Sequence, residues 1–221
     1  MTSMSRSIFL VAICALPMCA QRAVEMDGNI IFEPTDGSKA ALTSSGLDSQ
    51  PSLSADGRQV VFVRSTPNLT IDTGLGDQEE NELWIADTTG AVAPRRVLRG
   101  HPGGFRVDAN LVLGGFWAPQ FSPDAKRIYF MSTIWATSHG IWLLDVAAGQ
   151  VRFLCDGLDL EVLNSGPYAG NIIVRKHIPR VVPGRVFRYW LLDRDGNEVG
   201  EIGEAESALE EFFERAGVRK Q

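Results

Sequence analysis

The sequence predicts an all-β chain: a partial β-propeller of about three and a half four-stranded blades, finished by a short C-terminal helix. Three observations carry that expectation. The first is a repeated phrase. Gln50-Pro51-Ser52-Leu53-Ser54-Ala55-Asp56-Gly57-Arg58-Gln59-Val60-Val61-Phe62-Val63 reads as a short strand, a tight turn and a wholly apolar strand. It returns as Ala118-Pro119-Gln120-Phe121-Ser122-Pro123-Asp124-Ala125-Lys126-Arg127-Ile128-Tyr129-Phe130-Met131 and, more weakly, from Leu163 through Gly170-Asn171-Ile172-Ile173-Val174. The second is a tryptophan hairpin after each copy: Leu83-Trp84-Ile85-Ala86-Asp87 to Gly90, Ile141-Trp142-Leu143-Leu144-Asp145 to Gly149, and Tyr189-Trp190-Leu191-Leu192-Asp193 to Gly196. The third is the spacing of the turn glycines Gly37, Gly90, Gly149 and Gly196. It lies at or somewhat above the about 40–50 residues of a propeller blade.

The chain opens with a polar stretch, Met1 to Ser7, then an apolar run from Ile8 to Met18 and small Ala20. A charged start, a short apolar core and a small residue read as a secretory signal over residues 1–20. The run is too short to span a bilayer, which takes about 20 apolar residues. Cleavage after Ala20 is the favoured reading. The alternative is a lipid anchor on Cys19, since Leu16-Pro17-Met18-Cys19 loosely resembles a lipobox. Of the three cysteines, Cys14 and Cys19 fall in this segment, so Cys155 is left as a buried small apolar residue.

The repeats run from 28 to 203. The first unit is a half-unit, Asn29-Ile30-Ile31-Phe32-Glu33 and Lys39-Ala40-Ala41-Leu42-Thr43 around the Asp36-Gly37 turn, with Ile31 where later units have Trp. With the strands of a unit lettered a to d, the chain reads c–d and then a–b–c–d three times. Strands b and c are apolar on both faces, so both must be covered, as stacked blades do. Strand d carries charge (Arg95, Arg96, Arg99, Arg152), which suits an outer edge. Residues 204–221 change character: Ala208, Leu209, Phe212 and Phe213 share one helical face, with Glu in front and Arg215 behind, as the helix dipole favours. This helix is expected to cap the last blade.

The order Gln-Pro-Ser-x-Ser-x-Asp-Gly, apolar strand, Leu-Trp-x-x-Asp resembles the propeller repeat of TolB, the periplasmic component of the Tol–Pal envelope system. The resemblance covers about Gly28 to Gly203. It implies a periplasmic or secreted chain that binds a protein or cell-envelope partner. TolB has a further domain ahead of its propeller and more blades, so the expectation is a shortened relative without that domain.

Composition bounds the function. The 221 residues are 44% hydrophobic and 22% charged, with a net charge of -6. An acidic balance argues against nucleic acid as a partner. No Gly-x-Ser-x-Gly elbow, His-Glu-x-x-His pair or phosphate loop is present, so a non-catalytic module without metal or cofactor is expected. The long b–c and d–a connections (66–82, 100–116 and 176–186) emerge at one end, where loops on a rigid scaffold would bind. His101, Phe105, Arg106, Asp108, Trp135, His139, His177 and Arg180 fall in them and are the candidate partner-binding residues. The acidic group Asp72, Asp77, Glu79, Glu80 and Glu82 reads as a solvated loop rather than a calcium site. The alternative function is a propeller-based carbohydrate-active or peptide-processing enzyme, with Asp108 and His101 or His139 as acid and base. Three and a half blades leave blade faces to cover, so a homodimer through the blade bearing Ile30 and Phe32 is a further expectation.

Overall fold

The computed structural model describes residues 20–72, 77–100, 105–106, 112–135, 138–178 and 186–218. The signal segment lies outside them. The described residues form four antiparallel sheets in chain order. The first blade is β1 (Arg22–Met26), β2 (Asn29–Glu33) and β3 (Ala40–Ala41); the second is β4 (Asp48–Leu53), β5 (Gln59–Asp72), β6 (Asp77–Asp87) and β7 (Arg95–Arg99). A small hairpin, β8 (Phe105–Arg106) and β9 (Val112–Leu113), precedes the third blade, β10 (Phe116–Phe121), β11 (Arg127–Trp135), β12 (Ser138–Asp145) and β13 (Val151–Gly157). The fourth is β14 (Leu160–Val162), β15 (Ile172–Ile178), β16 (Val186–Leu192) and β17 (Glu198–Gly203), followed by α1 (Glu206–Ala216). Each sheet is a simple meander, so the chain is a partial β-propeller.

The first blade holds one strand more than its sequence suggests. β1 pairs with β2 from Arg22↔Glu33 to Met26↔Asn29. Asp27 and Gly28 form the turn, with φ of 52° and 70°. That is the two-residue geometry that matches the twist of a hairpin. A side chain at Gly28 would sit 2.3 Å from the Gly46 carbonyl oxygen, so glycine is also required by space.

The tryptophans occupy the same register position in the second, third and fourth blades. Trp84 stands opposite Phe62, Trp142 opposite Phe130 and Trp190 opposite Val174. Ile31 holds the same place in the first blade, opposite Val24. Alternate residues of each strand point to opposite blade faces, so each middle strand supplies two cores. Ile30, Phe32 and Leu42 pack on Val60, Phe62 and Ala86 between the first two blades. Val61, Val63, Leu83 and Ile85 meet Phe121, Ile128, Phe130, Trp142 and Leu144 at the next interface. Tyr129, Met131 and Ile141 meet Leu160, Val162, Ile172 and Val174 at the third.

Helix α1 covers the far face of the fourth blade. Leu209, Phe213 and Ala216 are buried against Leu163, Ile173, Tyr189 and Leu191. Its end is fixed by Gly217 in the left-handed conformation, with the Gly217 and Val218 N–H groups donating to Glu214 and Phe213 carbonyls. Glycine adopts that conformation without steric cost.

Ile30 and Phe32 do not form the outward face of their blade. Both side chains point inward, with Ile30 0% and Phe32 7% exposed. The outward face carries Val24 and Ile31 instead, beside Glu33, which pairs with Arg22 at 2.5 Å and Lys39 at 2.8 Å. An isoleucine where the other blades have tryptophan, flanked by ion pairs, makes this a smaller and more polar surface than a blade interface. Among the described residues no helix is long and apolar enough to cross a membrane.

Candidate functional site

The innermost strands β4, β10 and β14 and the approach to β1 surround a cleft of about 730 Å³, at the position of a propeller axis. Ala20 to Ala23, Gln50 to Ala55, Ala118 to Gln120 and Glu161 line it. Two of its walls are irregular. β4 bulges between Ser49 and Ser52, and β10 bulges at the equivalent place between Trp117 and Gln120. Gln50 and Ala118 take φ of 52° and 49°, a region that side-chain-bearing residues rarely enter. Bulges re-aim side chains, and backbone held this way has to be fixed by its surroundings.

Glutamine side chains fix it. Gln50 Oε1 accepts the Ala118 N–H at 2.7 Å, linking the second blade to the third. Gln120 Nε2 donates to the Leu160 carbonyl at 2.8 Å, and its Oε1 accepts the Val162 N–H at 2.8 Å, linking the third to the fourth. Pro51 and Pro119 remove an N–H each from the strands that face the axis, so these walls are poor templates for an added strand. The cleft instead offers side chains: the amide of Gln50, the hydroxyl of Ser52 and the carboxylate of Glu161, beside the apolar surfaces of Leu53, Ala55 and the prolines.

The long connections emerge at one end, as the strand order requires. The 66–82 connection is mainly a ribbon rather than a loop: after a break between Ser65 and Thr70, pairing resumes at Thr70↔Glu79, Ile71↔Gln78 and Asp72↔Asp77. Its acids are not uniformly solvated. Glu80 and Glu82 are 3% and 5% exposed. Glu80 receives Arg99 at 2.8 Å, and Glu82 receives Arg96 at 2.7 Å and the Trp84 Nε1–H at 2.9 Å. Buried carboxylates need such partners.

The sequence candidates divide. His101, Asp108 and Arg180 lie outside the described residues. Phe105 and Arg106 form β8, paired with Leu113 and Val112, and Trp135 pairs with Ser138 at the β11–β12 turn. His139 stands edge-on to Trp117, ring centres 4.6 Å apart, with its Nδ1 buried and unpartnered. Burial lowers its pKa, against the opposing pull of Asp159. His177, in another blade, is exposed and packs on Phe187 at 5.6 Å. The two histidines contact different aromatics and not each other. Among the described residues no three His, Cys, Asp or Glu side chains gather as a metal site. Cys155 is buried, and burial pushes its thiol up to about 11, which makes it unreactive. The cleft residues Gln50, Ser52, Gln120 and Glu161 escaped the sequence reading. Gln50 and Ser52 stand in the repeated phrase itself, and the one signal available was a Pro beside Gln or Ser in a strand.

No protein-family model matches the chain, and no curated protein matches it. Solved structures do. The β-propeller domain of the Trilobed protease from Pyrococcus furiosus, described as having an open velcro topology, aligns at a TM-score of 0.54 and 13% identity, over 80% of this chain and 49% of that one. TolB from Acinetobacter baumannii aligns at 0.51 and 19% identity, over 80% and 38%. Porphyromonas gingivalis dipeptidyl peptidase 4 aligns at 0.53 and 13% identity, over 84% and 31%. The chain therefore spans half or less of each of these proteins. Similarity at such identities is a likeness of fold, and the fold is that of a TolB-like partial β-propeller.

Proposed function

We propose that this chain is an exported, non-catalytic binding module that takes a protein or cell-envelope partner at its axial cleft and at its long-connection end. The observation that carries the reading is the cleft itself. Its volume of about 730 Å³ falls within the about 300–1,000 Å³ of ligand pockets, and its irregular walls are locked by inter-blade hydrogen bonds. A concavity whose walls are pinned in this way, largely apolar with a few placed polar groups, binds without reorganising. The ribbon of β5 and β6 and the hairpin of β8 and β9 supply contact area at the end where the long connections lie. Export rests on the signal-like residues 1–20.

The test is partner recovery from the native envelope by cross-linking to tagged chain, with each partner identified and quantified. Ser52→Trp fills the cleft from a half-buried position on β4. It is expected to lower recovery of a specific partner at least about tenfold, a change of about 1.4 kcal/mol in binding, with the far-UV spectrum unchanged. Removing residues 66–76 together with Phe105→Ala and Arg106→Ala is expected to do the same. An identical partner list at identical yield for both variants would overturn the reading.

A further inference from the structure

A second cleft lies among the short turns that join the first and second strands of the blades. It measures about 400 Å³ and sits between the third and fourth blades, lined by Ser122 to Asp124, Lys126, Arg127, Tyr129, Asp145, Ala169, Gly170 and Arg194. Its hydrogen-bonding groups divide in an unusual way. One oxygen of each lining carboxylate, and the Arg194 carbonyl, are occupied internally. Asp124 Oδ1 receives the Ser122 hydroxyl at 2.7 Å and the Lys126 N–H at 3.1 Å. Asp145 Oδ1 receives the Ala147 and Ala148 N–H groups at 3.0 and 2.8 Å. The Arg194 carbonyl receives the Tyr129 hydroxyl at 2.9 Å. Asp195, beside the cleft, is shared by Arg127 and Arg152, each at 3.2 Å.

The donors are not all occupied. Among the described residues, the Lys126 ammonium and the Arg194 guanidinium make no hydrogen bond or ion pair. Asp124 Oδ1 and Asp145 Oδ1 are held by turn donors and Asp195 by two other arginines, while Lys126 acts on Asp124 through charge at longer range. Pro123, Ala169 and Gly170 supply the apolar part of the lining. The connection 163–171 that brings Ala169 and Gly170 into the lining is longer than the tight turns that hold the same place in the second and third blades. The corresponding interface one blade earlier has Arg58 in place of Lys126 but Val61 in place of Tyr129, Gln59 in place of Arg127 and Val146 in place of Arg194, so the pair of cations is not repeated there.

We infer that this cleft binds an oxyanion, a carboxylate or phosphate group on a small molecule, between Lys126 and Arg194. Free cationic donors beside an apolar lining are what such a group requires, and a guanidinium can receive it with two parallel hydrogen bonds. The site is separate from the axial cleft and independent of the partner reading above.

Inorganic phosphate and sodium acetate are the probes, titrated at constant ionic strength into labelled protein followed by amide NMR. The expected result is saturable shifts at Ala169, Gly170 and Asp195 with at least one of the two probes; the probe that binds more tightly identifies the group. Lys126→Ala with Arg194→Ala should weaken binding by at least about tenfold. Lys126→Arg should retain it, and both changes lie on exposed side chains that leave folding intact. Shifts that do not saturate, that lie elsewhere, or that survive in the double variant would overturn the inference.

Discussion

The second and third blades share a backbone almost residue for residue and fill it differently. Asp48 faces Arg64 across β4 and β5, where Phe116 faces Ser132 across β10 and β11. The bulges coincide, and so do the tryptophans. In the second blade the Asp48 carboxylate is bound by Arg64 at 2.5 and 2.8 Å, and the Arg64 guanidinium lies 4.3 Å from the Trp84 ring centre. Trp84 in turn donates to Glu82. In the third blade Phe116 and Phe130 meet edge to face at 5.4 Å, and Ser132 is buried with its hydroxyl on the Gly114 carbonyl at 3.0 Å. Trp142 is 0% exposed, and its Nε1–H finds no acceptor among the described residues, because Gly140 stands where the second blade has Glu82. The neighbour decides. The third blade packs on a complete four-stranded sheet and is filled with apolar groups. The second packs on a three-stranded sheet too short to cover it, and its uncovered end is built from charge and aromatic stacking.

The largest expected effect tests that difference directly. Trp142→Ala should cost about 4 kcal/mol, since it empties a sealed core, whereas Trp84→Ala should cost about 2 kcal/mol from a half-exposed site with a cation–π contact. Urea unfolding monitored by fluorescence of the remaining tryptophans measures both. Equal losses would show that the two interfaces are sealed alike.

An intermediate effect concerns acid. Burial raises the Asp48 pKa, but hydrogen bonds from Arg64, Thr43 and Ser45 outweigh it and hold the carboxyl below its ordinary value. A depressed folded pKa stabilises above the unfolded value, about 3.9 for Asp, and the contribution fades as pH falls through the folded value. Asp48→Asn should therefore lower the urea midpoint at pH 6, and the gap from the unaltered chain should close as pH falls below about 4. A gap that stays constant to pH 2 would mean that Arg64 does not select the ionised form. The third blade, with Phe116 and Ser132 at these positions, has no counterpart to this titration.

The smallest effect lies in the inter-blade links. Gln120→Ala removes two hydrogen bonds and should cost about 1–2 kcal/mol; Gln50→Ala removes one and should cost about half as much. Thermal unfolding by calorimetry would rank them, and the reverse order would place the tighter junction between the second and third blades.

Much of this architecture was legible because its punctuation is chemical. Asp-Gly turns and paired apolar strands mark hairpins wherever they fall, and Leu209, Phe212 and Phe213 declared a capping face. What stayed hidden has physical causes. β1 carries only Ala23 and Val24 between charged residues, since an end sheet need bury only one face, so its pattern is too thin to read. In sequence the 66–82 ribbon looks like a loop because Pro67-Asn68 interrupts it, although Asn68 merely occupies a left-handed position with φ of 69°. The side to which Ile30 and Phe32 point is hidden because both faces of an apolar strand look alike in sequence. The axial cleft was missed because it is built by side chains that reach a neighbouring blade's backbone, and such links leave no period.

The arrangement of α1 has a consequence for how the molecule comes apart. Among the described residues the buried apolar clusters join each sheet to the next, so stability passes along the stack as nearest-neighbour couplings. Such a stack melts from its ends, and here the ends are unequal. One is clamped by a helix whose buried Leu209 and Phe213 tie it to the last sheet. The other is a three-stranded sheet whose outermost strand, β3, is two residues long. Fraying should therefore run in one direction, from residue 22 toward residue 203, with amide exchange fastest in the first blade and slowest beneath the helix. The first protease cuts would fall near Ala40 and leave the remaining three sheets standing as a shorter stack.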